Sequence, residues 1–205
     1  MFPSLLPSII TAFNAQKDRI NELGSAHFAA EIGQTLTDFY SIDRFGSPPD
    51  AAEKKSRGRK SKASGKHVSN EISSALQKII WNLPPSATNH FPDKLSLGID
   101  MPVIIRNNDA TELCITKGQE GHVVGWQAGR GIHGQCVLDT LFIKLHKPAK
   151  IVKIDGLPEN VVPITRGSKK IECTFSSDLK EYIHRSQVWV LPNFSMTDYT
   201  SQGKT

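Results

Sequence analysis

Apolar residues along this chain fall into three regimes. At the start, Ile9-Ile10-Thr11-Ala12-Phe13 is a short β-favouring run, the pattern of a buried parallel strand. Asn14 reads as a helix cap. The spacing of Ile20 and Leu23, with charged residues on the other face, predicts a helix over 15–23 that Gly24 ends. A strand running straight into a helix is the building step of α/β folds. Residues 36–42 read as a further strand. Over 70–83, Ile72, Leu76, Ile79, Ile80 and Leu83 recur at helical spacing until Pro84-Pro85 stops the helix.

From Lys94 the pattern changes to short strands, at 95–107, 121–127, 137–145, 150–154, 169–175 and 187–196. Alternation is clearest in Leu141-Phe142-Ile143-Lys144-Leu145 and Ile171-Glu172-Cys173-Thr174-Phe175. Glycine-bearing turns at 117–121 and 129–134 separate them, as in a small barrel or meander. The expected architecture is α/β with a β-rich insertion, returning to α/β at the end. The boundaries are a strand–helix part at 1–45, a loop at 46–69, a helix and connection at 70–93, the β-rich segment at 94–187 and a return strand at 188–205.

Charge sharpens this layout. The 205 residues carry a formal net charge of +5, but Lys54, Lys55, Arg57, Arg59, Lys60, Lys62 and Lys66 sit within thirteen positions, and without these seven the net charge falls from +5 to −2. The chain is a near-neutral globular part with one basic segment, whose Lys, Arg, Ser and Gly composition supplies no core and predicts a disordered loop. The run has no aromatic residues, so nucleic-acid contact there would be electrostatic and sequence-blind. A nuclear-import address and a plain solvated loop are the other readings. Cys114, Cys136 and Cys173 are odd in number and widely spaced, which fits a reducing compartment rather than a disulfide framework. The apolar N-terminus has no basic lead and is broken by Pro3 and Pro7, unlike a signal peptide, and no run is long enough to cross a bilayer.

Candidate chemistry is sparse. Gly203-Lys204-Thr205 invites a phosphate-loop reading, but the glycine required five positions earlier is Asp198. No strand ends in an acidic pair suited to Mg²⁺, so no catalytic residues and no cofactor are assigned to this chain. His133 and Cys136, with His122 nearby, fall short of the four ligands of a structural zinc site, and no metal is assigned.

Three segments together resemble one family, the PIF-type (petite integration frequency) superfamily 1 DNA helicases, especially those of Helitron-like transposons. Residues 10–21, from Ile10 to Asn21, are similar to a strand–Asn–helix–Ile-Asn step of the second RecA-like motor domain. Residues 95–107 with 114–123 resemble Leu-x-Leu-x-x-Gly-x-x-Val, an Asn, then Asn-Gly-x-x-Gly-x-Val, with Lys117 in place of the last Asn. Arg185-Ser186-Gln187-Val188-Trp189-Val190-Leu191-Pro192 and the segment from Thr197 to Thr205 resemble an Arg-x-Gln-x-Pro-Leu lead-in and a Thr-Ile-His-Lys-Ser-Gln-Gly-x-Thr motif.

The resemblance implies a partial second RecA-like domain carrying an SH3-like small β-barrel. It implies that Thr197, Tyr199, Ser201, Gln202, Gly203 and Thr205 contact DNA, with Tyr199 replacing the usual His. Lys54, Lys55, Arg57, Arg59, Lys60 and Lys62 are further candidates by charge. ATP and Mg²⁺ serve the intact family. The expected partners are DNA, in single-stranded form, and a missing N-terminal motor domain, with no membrane; the expected location is intracellular and nuclear. The chain is expected to be a helicase fragment cut off within a motif and inactive alone, with an unpaired sheet edge and poor stability. The alternative is a non-catalytic nucleic-acid-binding or interaction module.

Overall fold

The computed structural model describes residues 9–45, 71–88, 90–175 and 180–197. The basic run at 54–66 and residues 198–205 lie outside these. The chain divides into two compact units, one from 1–40, 94–166 and 188–205, the other from 41–93 and 167–187. The β-rich segment expected at 94–187 is therefore shared: its last strands belong with residues 41–93, because β-pairing is set by register across the chain and not by continuity along it.

The first unit opens with β1 (Ile9–Thr11) and α1 (Asn14–Glu31). Helix α1 differs from the expected 15–23 in length and in orientation. It runs through Gly24 and ends two residues before Gly33, which takes φ +66. There Gly33 N–H donates to Ala30 O at 3.3 Å and Gln34 N–H to Ala29 O at 2.9 Å, the paired bonds of a glycine-terminated helix. Its buried stripe is Lys17, Asn21, Ser25, Phe28 and Ala29, whereas Leu23 of the expected apolar face is 53% exposed. Gly24 lies mid-helix because a side chain there would meet Phe194: a Cβ would sit 2.6 Å from Cγ of that ring.

Strands β2 (Thr37–Tyr40) and β4 (Lys94–Leu97) pair antiparallel. A second, five-stranded antiparallel sheet follows, in the order β11 (Val190–Pro192), β5 (Pro102–Ile105), β6 (Glu120–Arg130), β7 (Cys136–Leu145), β8 (Val161–Thr165). These described strands form an open sheet with β11 and β8 as edges, not the closed small barrel that the turn spacing suggests. Phe39, Leu95, Val103, Val123, Leu141, Ile143, Ile164 and Val190 are among the side chains of one continuous core, and the Phe39 and Trp126 rings meet edge-on at 5.3 Å. The strand expected at 150–154 does not form. Val152 is buried, but its N–H bonds the Asn160 side chain at 2.9 Å and its carbonyl accepts from Asn160 N–H at 2.9 Å, so a local loop takes the place of a ladder. The strand is β8 instead. Its Pro163 has no N–H to donate, which an edge position tolerates.

The second unit is a three-stranded antiparallel sheet, β3 (Ile42–Phe45), β10 (Lys180–Gln187) and β9 (Gly167–Thr174), with β10 central, and the helix α2 (Ser74–Trp81). Ser73 caps α2 by accepting from Leu76 N–H at 3.4 Å. The helix is shorter than the expected 70–83. Ile72 and Ile80 are buried but Ile79 is 54% exposed. This small core encloses an ion pair. Arg185 donates from Nε to Asp43 Oδ1 at 2.9 Å, from Nη2 to Asp43 Oδ2 at 3.1 Å and from Nη1 to Phe91 O at 2.9 Å, and both charged side chains are fully buried. Gln77 Nε2 and Ser41 Oγ donate to the remaining lone pairs of Asp43 at 2.9 and 3.2 Å. Burial pushes the neighbouring Cys173 thiol up to about 11, so it stays protonated.

Removing one member of such a pair leaves an uncompensated buried charge. Asp43→Ala is expected to lower the unfolding free energy by about 3–5 kcal/mol, and the double variant Asp43→Leu/Arg185→Met by less than the single one, as read by urea denaturation. In Gly24→Ala, a helix-propensity gain of about 1 kcal/mol opposes an overpacking cost of about 1–3 kcal/mol against Phe194. A net loss of stability is expected in the same assay; a net gain would show that Phe194 yields freely.

Candidate nucleic-acid interface

The strand–helix step at the start and the strand near the end of the described chain meet in the first unit. Strand β12 (Ser195–Thr197) pairs parallel with β1, in the register Ile9 with Ser195, Ile10 with Met196 and Thr11 with Thr197. A parallel return strand is what the expected α/β ending requires. Burial differs from expectation: Ile9 and Ile10 are 54% and 59% exposed, because among the described residues β12 is the strand's one sheet partner.

The link between the two segments is polar. Asn21 Oδ1 accepts from the backbone N–H of Phe194 at 3.0 Å and of Ser195 at 2.8 Å. Its Nδ2 donates to Ser195 O at 3.2 Å, and Ser195 Oγ donates to Lys17 O at 2.9 Å. One amide side chain thus copies a strand neighbour, offering an acceptor and a donor to the start of β12. The Phe194 ring packs 5.9 Å from Phe28 on the same helix.

The two strands end side by side at Thr11 and Thr197, close to where α1 begins. In open α/β sheets ligands bind beyond the carboxyl ends of the strands, near helix N-termini whose first N–H groups are unpaired. Helix α1 has no side-chain cap at Phe13 and no acidic residue in its first turn. Asn14 does not cap as expected; its Oδ1 accepts from Lys17 Nζ at 3.3 Å. Lys17 is itself buried and paired with Asp18 at 2.9 Å. Burial lowers the pKa of the partly buried Arg106, and the Asp18 carboxylate opposes that shift. Asp18 therefore serves two cations beside this end of the helix.

Of the residues expected to contact DNA, the structure places Thr197 alone, buried in β12. Tyr199, Ser201, Gln202, Gly203 and Thr205 lie outside the described residues, as do Lys54, Lys55, Arg57, Arg59, Lys60 and Lys62. Asn21, Ser195 and Arg106 are the positions that sequence reasoning assigned no role. The signal for Asn21 was its place one turn after Lys17, on a stripe that holds no large aliphatic residue. Among the described residues no group of three or more His, Cys, Asp or Glu could hold a metal, and no helix is long and apolar enough to cross a membrane.

This arrangement, a parallel pair with a helix between its strands and an antiparallel insertion, has solved counterparts. Its structural neighbours are Pif1 helicases. The chain superposes on the Pif1 helicase from Candida albicans with a TM-score of 0.54 and 15% identity, over 98% of this chain and 38% of that one. On unliganded Pif1 from Bacteroides sp the TM-score is 0.50 and the identity 12%, over 97% of this chain and 44% of that one. The chain thus spans less than half the length of either helicase. No protein-family profile and no curated protein sequence matches it.

Asn21→Ala would leave two backbone donors and one acceptor without this partner, at about 1–3 kcal/mol for each group that stays buried and unsatisfied. The expected result is a loss of stability of about 2–4 kcal/mol, with faster hydrogen exchange at the Phe194 and Ser195 amides. Unchanged exchange there would show that β12 is held by its ladder to β1 alone.

Proposed function

We propose that this chain is the DNA-contacting part of a PIF-type helicase motor, of the Helitron-like branch, and that it does not hydrolyse ATP by itself. The observation that carries this reading is the register of β1 with β12. It sets the segment from Ile10 to Asn21 beside the strand that leads into Thr197-Asp198-Tyr199-Thr200-Ser201-Gln202-Gly203-Lys204-Thr205. These are two of the three segments that resemble the helicase family, and they lie more than 170 positions apart in sequence. The likeness of fold to the Pif1 helicases supports the same reading over nearly the whole chain.

In this reading Thr197, Tyr199, Ser201, Gln202, Gly203 and Thr205 meet a single DNA strand. Lys54, Lys55, Arg57, Arg59, Lys60 and Lys62 add phosphate contacts or a nuclear-import address. The antiparallel sheet holds the place of the family's SH3-like insertion. The 205 residues contain no Gly-x-x-x-x-Gly-Lys-Ser/Thr, so a phosphate loop and an Mg²⁺ carboxylate for ATP would come from another domain, the family's first motor domain.

Fluorescence anisotropy with a short oligo-dT is expected to show binding that weakens as salt rises, since phosphate contacts release counterions. Steady-state assays are expected to show no DNA-stimulated ATP hydrolysis. Measurable stimulated hydrolysis would overturn the inactivity, and absence of binding at low salt would overturn the DNA-contacting role.

A further inference from the structure

In the second unit the register of β3–β10–β9 lines up three basic side chains. His184 on β10 stands opposite Arg44 on β3 and opposite Lys170 on β9. Side chains alternate between faces along a strand. Asp43, Ile183, Arg185 and Ile171 are buried on the inner face, which leaves Arg44, His184 and Lys170 together on the outer one. Arg44 and Lys170 are exposed and His184 half-buried. Neighbouring strands lie about 4.8 Å apart, so a protonated His184 would face a like charge on either side, which destabilises a sheet. The row therefore disfavours the charged imidazole until an anion is present.

The acidic groups around it leave most of the row unneutralised. Glu71 lies across an isolated backbone bridge from Arg44. Glu172, in the next row on β9, is occupied: its carboxylate accepts from Lys180 Nζ at 2.7 Å and from Tyr182 Oη at 2.8 Å. Among the described residues no carboxylate pairs with Lys170 or His184. Lys170 Nζ instead lies 4.5 Å from the centre of the Tyr182 ring, and Tyr182 as a residue is 52% exposed.

We propose that this outer face is a docking surface for single-stranded DNA, gripped through its phosphates by Arg44, His184 and Lys170, with Tyr182 beside them as a stacking platform. A polyanion complements the Arg44 and Lys170 charges, and an aromatic ring among basic side chains suits a flexible strand whose bases are unpaired. The choice of occupant rests on the function proposed above; the location rests on the register alone. Partial burial and the Lys170 charge both lower the His184 pKa from the ordinary histidine value. A phosphate at the row favours the charged imidazole and raises that pKa. Affinity therefore rises as pH falls through the bound-state pKa of His184, and levels off below its free-state pKa.

The test uses the full chain and oligo-dT, with anisotropy over a range of salt. The double variant Arg44→Gln/Lys170→Gln is expected to bind several-fold more weakly, with the slope of log affinity against log salt shallower by about 0.7 for each phosphate no longer neutralised. His184→Gln is expected to flatten the pH dependence. In NMR titrations, the imidazole resonance that disappears in His184→Gln is expected to titrate at higher pH once oligonucleotide is added. If the wild type binds DNA but the double variant keeps its affinity and salt slope, this surface is not the site, while the proposed function stands. If the His184 resonance titrates unchanged with DNA bound, the phosphate contact is refuted. Equal binding of polyglutamate would overturn the choice of occupant in favour of an acidic protein. If the wild type binds no DNA, the proposed function fails together with the occupant.

Discussion

One amide side chain, Asn21, joins the beginning of the described chain to its end. Strand β12 is three residues long and its ladder to β1 is equally short. Pairing of that length is marginal in water. Asn21 adds three hydrogen bonds to the same stretch of backbone, and Ser195 adds a fourth, to the Lys17 carbonyl. All of these groups are buried, where a satisfied bond is modest in value but an unsatisfied donor is expensive. Alternative registers of β12 would strand the Phe194 and Ser195 donors, so the network selects one register as well as stabilising it. That selection sets Thr197 beside Thr11 and fixes where the segment beyond it begins.

The second unit uses the same principle with charges. Asp43 and Arg185 are direct cross-strand partners and both are fully buried. Their attraction offsets a large desolvation cost only because Gln77, Ser41 and the Phe91 carbonyl occupy further hydrogen-bonding positions around the pair. A sheet of three strands with one short helix has little apolar surface to hide, so a polar network that tolerates one geometry does much of the specifying. The alternation that turns Asp43 and Arg185 inward turns Arg44 and His184 outward, so the neutralised inner face and the cationic outer face follow from one register.

How much was legible depended on whether a residue's role was local. The helical spacing of Ile72, Leu76, Ile79 and Ile80 and the alternation of 141–145 act through neighbours in sequence, and a helix and a strand form there. Gly24 misled because its purpose is a contact with Phe194, 170 positions away, and a glycine excluded by sterics looks the same in sequence as a glycine ending a helix. The stripe of Lys17, Asn21 and Ser25 was unreadable as a buried face for a related reason. Hydrophobic periodicity measures transfer from water, and these side chains are buried to satisfy a distant backbone. At 150–154 an apolar alternation was real, yet Asn160 closed a loop around Val152 and the ladder passed to β8.

The sequence by itself determined the strand–helix opening, the β-rich middle, the concentration of positive charge at 54–66 and the three segments that resemble a helicase. These are properties of local composition, spacing and motif. The tertiary structure alone decided that β12 lies parallel to β1, that residues 167–187 join residues 41–93 in a separate unit, and that Arg44, His184 and Lys170 form a row. Each depends on the register of strands far apart in the chain. Register is set by which buried polar groups find partners and by which side chains fit face to face, and neither can be counted along one strand.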